Sequence, residues 1–218
     1  PHINTLSSFD TEEEFELLEH LGDGGFGSAF KARRVVPRRA RKAVCIKFTK
    51  DAQSWHREAY FGEILRESPG IVHLQSTFVG IMDDAQPRYC SVFELGEESL
   101  EHRIGAGRKW TEKRAVSEWR RIVAAVAVLH ENNAIHRDIT PMNVLVMSDG
   151  HLKLCDFGIA LHGPRGRVLA DAFNTAFAPP AILGGKTHWG PQEDVWQLGR
   201  LLALLLGWEP KRDIGTGD

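Results

Sequence analysis

Along the first half of the chain apolar and polar positions alternate, and later apolar positions recur every third or fourth residue. Alternation over 15–21 and 28–35 predicts two strands flanking a glycine-rich turn, and 43–48 predicts a third. The basic loop between the second and third strands (Pro37, Arg38, Arg39, Arg41, Lys42) reads as a solvated hairpin tip. A helix is expected over 52–67, ending near Ser68-Pro69-Gly70, followed by strands at 71–78 and 89–94. The spacing then turns helical: Thr111 offers a cap, and Val116, Trp119, Val123 and Val126 recur on one face. Short strands bracket the segment AIHRDITPMNVL and the turn Ser148-Asp149-Gly150. The last helix, over 192–206, is apolar on nearly every face and is expected to be buried. The outline is α+β: a small sheet-rich lobe with one helix over 1–95, then a larger, mainly helical lobe over 96–218.

Composition narrows the classes. The chain has 218 residues, 42% hydrophobic and 26% charged, enough for a substantial core in one or two domains. A net charge of -2 offers no electrostatic case for nucleic acid or an anionic membrane surface. The longest apolar runs are too short to span a bilayer, and the polar, then acidic, start does not read as a signal peptide, so an intracellular protein is expected. Cys45, Cys90 and Cys155 are far apart in apolar runs, which suits buried thiols rather than disulfides or zinc.

Candidate chemistry lies between these elements. Gly22-Asp23-Gly24-Gly25-Phe26-Gly27 fits a GxGxxG pattern, which alone could mark a dinucleotide site, another phosphate loop or a flexible hairpin. The glycines fall between two strands rather than before a helix. Lys47 stands about twenty residues past Gly27, where a dinucleotide site carries an acid. What remains is a hairpin whose backbone N–H groups can lie over a polyphosphate. Lys47, inside a strand of small apolar residues, suits a phosphate contact and needs an acidic partner; Glu58 is the better candidate, Glu63 the second, and an edge lysine snorkelling to solvent the plain alternative. Asp138, Asn143 and Asp156 supply oxygen ligands for a divalent cation and a group able to receive a proton.

Taken in order, Gly22–Ala29, Lys47, Glu58, His136–Asn143, Asp156-Phe157-Gly158 and Asp194-Val195-Trp196-Gln197-Leu198-Gly199 resemble the eukaryotic-type protein kinases over nearly the whole chain. The resemblance implies a bilobal fold with an antiparallel-sheet first lobe, and ATP and Mg2+ as cofactors. Gly22, Gly24, Gly25 and Gly27 would cover the phosphates, and Lys47 would contact them while paired with Glu58. Asp138 would be the catalytic base, with Asn143 and Asp156 as magnesium ligands. Ala29, Cys45 and Leu145 would sandwich adenine, Phe93 would line the back of the pocket, and Glu94 to Gly96 would meet the base through backbone groups. Asp194 would brace the catalytic loop, and a protein hydroxyl, serine or threonine before tyrosine, would be the acceptor. A pseudokinase and a small-molecule phosphotransferase are the alternatives.

Three features depart from the family pattern. Thr140 replaces a lysine that contacts the γ-phosphate, so a weakened enzyme is expected and a Thr140→Lys variant is expected to be faster. Pro180 replaces the glutamate of Ala-Pro-Glu. The sequence stops soon after the last helix, so the second lobe reads as truncated, with a partner or further segment expected over it. Arg137 is expected either to read a phosphate on Thr175, the only hydroxyl residue between Asp156 and Pro180, or to be satisfied by local carbonyls.

Overall fold

A computed structural model describes residues 5–8, 13–24, 27–36, 42–81, 87–163 and 166–208. The first part is built from β1 (Thr5–Ser8), β2 (Glu14–Gly24), β3 (Gly27–Val36), β4 (Ala43–Thr49), α1 (Ala52–Ile64), β5 (Leu74–Ile81) and β6 (Pro87–Glu94). The strands pair antiparallel in the order β1-β2-β3-β4-β6-β5 and close into a barrel. Closure is made by β1, which the alternation did not reveal. It pairs with β2 (Leu6↔Phe15) and with β5 (Ser7↔Ile81), leaving neither sheet edge open. Leu6 thereby joins Phe15, Phe78, Ile46 and Val92 in the barrel core, where Phe15 and Phe78 stack at 5.6 Å.

Period-two geometry decides which way β4 presents its side chains. Val44, Ile46 and Phe48 enter the barrel core, so Cys45 and Lys47 face the other way, and that is what aims Lys47 out of the sheet. The Asp51 carboxylate caps α1, accepting from the Gln53 and Ser54 amides at 3.1 and 3.2 Å. The helix stops at Ile64, short of the predicted end, and β5 starts at Leu74 rather than at Ile71. The intervening segment is stitched to the second part instead. Ile71 forms a lone parallel bridge with Leu154, whose N–H donates to Gly70 O at 2.8 Å.

The second part contains β7 (Glu98–Ser99), α2 (Leu100–Gly105), α3 (Glu112–Glu131), β8 (Ala134–Ile135), β9 (Val144–Val146), β10 (Leu152–Leu154), β11 (Leu161–His162), β12 (Val168–Leu169), α4 (Pro180–Leu183), β13 (His188–Trp189) and α5 (Pro191–Leu205). The short strands form β10-β9-β7, β11-β8 and β12-β13 sheets. Thr111 caps α3 as expected, its Oγ1 accepting from the Arg114 amide. The α3 helix packs on α5 around Ile122, Leu129, Leu198 and Leu201, and Trp119 Nε1 donates to Leu198 O at 2.8 Å.

The last helix is not apolar all round. Its buried side carries Glu193, Asp194 and Gln197 as well as Leu198, Leu201 and Leu205, whereas Val195 is exposed. Burying charged and amide groups is tolerable only where each is hydrogen-bonded, and here Asp194 and Gln197 hold the loop after β8 while Glu193 accepts from Lys186 and the Gly190 amide. Among the described residues no helix is long and apolar enough to cross a membrane.

Candidate active site

The loop after β8 is held from below by one carboxylate. Asp194, fully buried on α5, accepts through Oδ2 from the His136 amide and His130 Nε2, both at 2.9 Å. Its Oδ1 accepts from the Arg137 amide at 3.0 Å and Trp189 Nε1 at 2.9 Å. Four donors from three elements compensate its burial, and they fix the loop on which Asp138 stands. Gln197, one turn further along α5, continues the clamp. Its Oε1 accepts from the Ile139 amide at 2.9 Å, and its Nε2 donates to Arg137 O and Phe177 O.

Arg137 takes a left-handed backbone (φ 72) and turns its guanidinium inward. It donates to Ile159 O, to Leu169 O at 2.9 Å and to Asp171 Oδ1 at 2.5 Å. Thr175, exposed in a short 3-10 turn, is not among its partners; local carbonyls and Asp171 occupy the group. Burial is the main cause that holds the His136 imidazole below its usual pKa, against the pull of Asp194 and Asp156. The neutral ring accepts the Asp138 N–H at Nδ1, 3.2 Å away.

Asp138 itself is gripped on one side only. Asn143 Nδ2 donates to its Oδ2 at 2.7 Å and to its carbonyl at 3.0 Å, leaving Oδ1 buried without a partner among the described residues. Burial pushes its pKa to about 6, with the Asn143 hydrogen bond and Lys47 pulling the other way.

Across the cleft, Lys47 Nζ forms an ion pair with Glu58 on α1 and reaches Asp156 Oδ1 at 2.8 Å. Burial alone would lower the Lys47 pKa, but the Glu58 and Asp156 carboxylates outweigh it and hold the ammonium well above its ordinary range. Burial likewise works against the Asp156 carboxylate, yet Lys47 and the Gly158 amide keep its pKa below the usual value. Of the two acids weighed for Lys47, Glu58 is buried beside it, while Glu63 lies at the surface with Arg66. Asp156 adopts φ 63, and the next residue, Phe157, packs against Phe61 of α1 and against His136. Arg57 Nη1 adds a hydrogen bond to Gly158 O at 3.2 Å, so two direct contacts, Phe61–Phe157 and Arg57–Gly158, join α1 to the Asp156 turn.

The β2–β3 pairing runs as far as Gly24↔Gly27. Gly25 lies outside the described residues. Gly27 is required by close approach: a Cβ there would sit 1.8 Å from Phe48 O. Below the hairpin, β3 and β4 pair Ala29 with Lys47, and β4 and β6 pair Cys45 with Phe93. Burial pushes the Cys45 thiol to about 11, so it is a protonated wall group. Gly96 packs so closely on Leu145 that a Cβ would lie 3.1 Å from that side chain. The Glu94 amide donates to His73 O and its carboxylate accepts from Lys153, while the Gly96 N–H makes no hydrogen bond among the described residues. A cavity of about 520 Å³ between the end of α1 and α3, lined by Ile64, Pro69, Arg120 and Val128, lies away from this cleft.

Sequence reasoning missed Gln197 and Asp171. Gln197 stands inside a segment already singled out for Asp194, one helical turn away, and that spacing was the available signal. Asp171 carries no local signal, because its partner is a guanidinium far away in sequence.

The protein kinase domain family model matches residues 15–213. The chain is 30% identical over 198 residues to NUAK family SNF1-like kinase 2 of Homo sapiens, covering 88% of this chain and 31% of that protein. It is 32% identical over 209 residues to serine/threonine-protein kinase PLK4 of Drosophila ananassae, covering 92% of this chain and 26% of that one. Against the probable serine/threonine-protein kinase MARK-C of Dictyostelium discoideum the figures are 30% over 206 residues, 89% and 26%. The chain thus spans less than a third of the length of these relatives.

Proposed function

Because the chain belongs to the protein kinase domain family, we propose that it transfers the γ-phosphate of ATP to a hydroxyl of a protein substrate, serine or threonine before tyrosine. The observation that carries this reading is the double engagement of Lys47, paired with Glu58 on one side and with Asp156 on the other, beside the Asp138–Asn143 pair. In this reading Gly22, Gly24 and Gly27 cover the phosphates, and Lys47 binds them. Ala29, Cys45 and Leu145 enclose the adenine, Phe93 closes the back of the pocket, and residues 94–96 form the hinge between a lobe over 1–95 and one over 96–218. Asp138 receives the acceptor's proton through Oδ1, the oxygen Asn143 leaves free; such a base is worth ~10²–10⁴-fold in rate. The relatives' names support the preference for serine and threonine.

The donor set suits Mg2+. Both hydrogen bonds to Asp156 fall on Oδ1, and the Asn143 amide nitrogen is turned to Asp138, which leaves a carboxylate and a carbonyl oxygen for a hard cation. When bound, the ion supplies neutralisation of phosphate charge. Asp156 and Asn143 would hold it, while the rest of the work is positioning by Lys47, Glu58 and the braced loop.

The test is transfer from labelled ATP with Mg2+ to generic protein acceptors, run beside Asp138→Asn. Transfer present in the wild type and absent in the variant is expected. Thr140 and Pro180, where the family carries lysine and glutamate, favour a second reading as a nucleotide-binding module. ATP-induced thermal stabilisation without transfer would support it, and neither signal would remove both readings.

A further inference from the structure

The catalytic loop carries a hydroxyl that none of the interactions above uses. Thr140 is 1% exposed, and its Oγ1 is buried with no hydrogen-bond partner among the described residues. It stands at the cap of the 3-10 turn Pro141–Asn143, yet its side chain caps nothing; its carbonyl accepts the Asn143 N–H instead, at 3.1 Å. Buried polar atoms without partners are rare, and a valine would fill nearly the same space with no donor to satisfy.

The backbone explains where the hydroxyl points. Thr140 is extended, with φ -125 and ψ 161. Side chains of successive extended residues alternate between faces. Ile139 is packed in the main core, with its amide bound to Gln197. Asp138 turns away from that core, toward Asn143, Asp156 and Lys47, and an extended Thr140 two residues on falls on the same side as Asp138. Asp138 repeats the pattern, since Asn143 takes Oδ2 and leaves Oδ1 buried and unbonded. A carboxylate oxygen and a hydroxyl, both buried and without partners among the described residues, thus stand two residues apart on one loop.

We infer that Thr140 is a substrate-positioning residue: its hydroxyl and Asp138 Oδ1 together hold the acceptor hydroxyl of the protein substrate. The inference rests on the transfer reaction proposed above. The Thr140 O–H donates to one lone pair of the acceptor oxygen, and Asp138 Oδ1 accepts the acceptor's proton. A second lone pair is then directed at the γ-phosphorus. In the transfer step that pair forms the new O–P bond, and the bond from phosphorus to the β–γ bridging oxygen breaks. Its electrons leave with ADP, and the acceptor's proton passes to Asp138 Oδ1. Position 140 then serves the acceptor, not the γ-phosphate.

Steady-state kinetics with dephosphorylated casein as acceptor test this, with Thr140→Val, Thr140→Ser and Thr140→Lys beside the wild type and Asp138→Asn. Thr140→Val is expected to lower kcat/KM for casein about tenfold, the scale of one lost hydrogen bond at a buried site, with the KM for ATP unchanged. Thr140→Ser, which keeps the hydroxyl, is expected to retain most of the rate. Thr140→Lys is expected to be slower, because the longer side chain outgrows a buried position and removes the hydroxyl. A valine variant with unchanged casein kinetics, whatever its melting temperature, would show that the hydroxyl holds structural water only and would overturn the inference. So would a faster lysine variant, or an effect confined to the KM for ATP. A wild type that transfers nothing beside Asp138→Asn would bring down the proposed function itself, and this inference with it.

Discussion

The guanidinium of Arg137, 2% exposed, finds its acidic partner in Asp171, whose side chain is 62% exposed. A charge buried in the loop after β8 is thus neutralised by a carboxylate at the edge of solvent, on the segment that follows β12. The hydrogen bond from Arg137 is the main cause that lowers the Asp171 pKa. Its contribution to stability is therefore present above the unfolded value near 3.8 and is lost as pH falls through the lower, folded value.

Replacing Asp171 with asparagine should leave the guanidinium with carbonyls alone. We expect a loss of about 1–2 kcal/mol, since one side of the pair is largely in water, and a melting temperature lower by ~2–4 °C per kcal/mol. Thermal unfolding at pH 7 checks it, and transfer should fall with the ordering of the segment. Thr175→Ala should leave both readings unchanged, because Thr175 touches none of the Arg137 donors. Loss of transfer in that variant would restore the phosphate-reading role.

Lys47→Met should abolish ATP-induced stabilisation. A saturable site filled to a hundred times its Kd adds ~2.7 kcal/mol, and the variant should show none of it in a thermal shift titration. Glu58→Gln should weaken the same shift, whereas Glu63→Gln should not, because Glu63 lies at the surface and pairs with Arg66.

Transfer should decline as pH drops through about 6, where Asp138 gains its proton. A pH profile of kcat/KM with an acid limb well below 6 would argue against Asp138 as the base.

The same shift has a consequence for stability. The folded pKa of Asp138 lies above the unfolded value of 3.8, so its contribution favours folding at low pH and is lost as pH rises through about 6. Asp138→Asn, with no charge to keep buried, should melt higher than wild type at pH 7.5, by ~2–4 °C for each kcal/mol relieved. The gap should close at pH 4.5. A variant that melts lower at both values would indicate that the carboxylate is a net structural tie.

Much of the site was legible because its signals are local. A lysine in a strand of small residues must face one side of a sheet, and β4 turns Lys47 away from the barrel core. Glu58 and Glu63 are indistinguishable as helical glutamates; only the packing of α1 on the sheet buries the first and leaves the second to Arg66. The strand β1 escaped notice because four residues carry almost no periodic signal and one of its partners, β5, lies far along the chain. The strand expected over 71–78 starts late for a similar reason: Ile71 is β-prone, but its pairing is with Leu154 in the second part.

The amino-acid sequence by itself determined the order of glycines, lysine, glutamate, aspartates and asparagine, and the helices and hairpins that carry them. Those features follow from short-range spacing and backbone preference. Tertiary structure alone decided that Lys47 meets Asp156, that Arg137 is neutralised by Asp171, and that the hydroxyl of Thr140 is buried without a partner among the described residues. Burial and ion pairing are properties of packed surfaces, set by which distant segments exclude water together, and no local pattern encodes them.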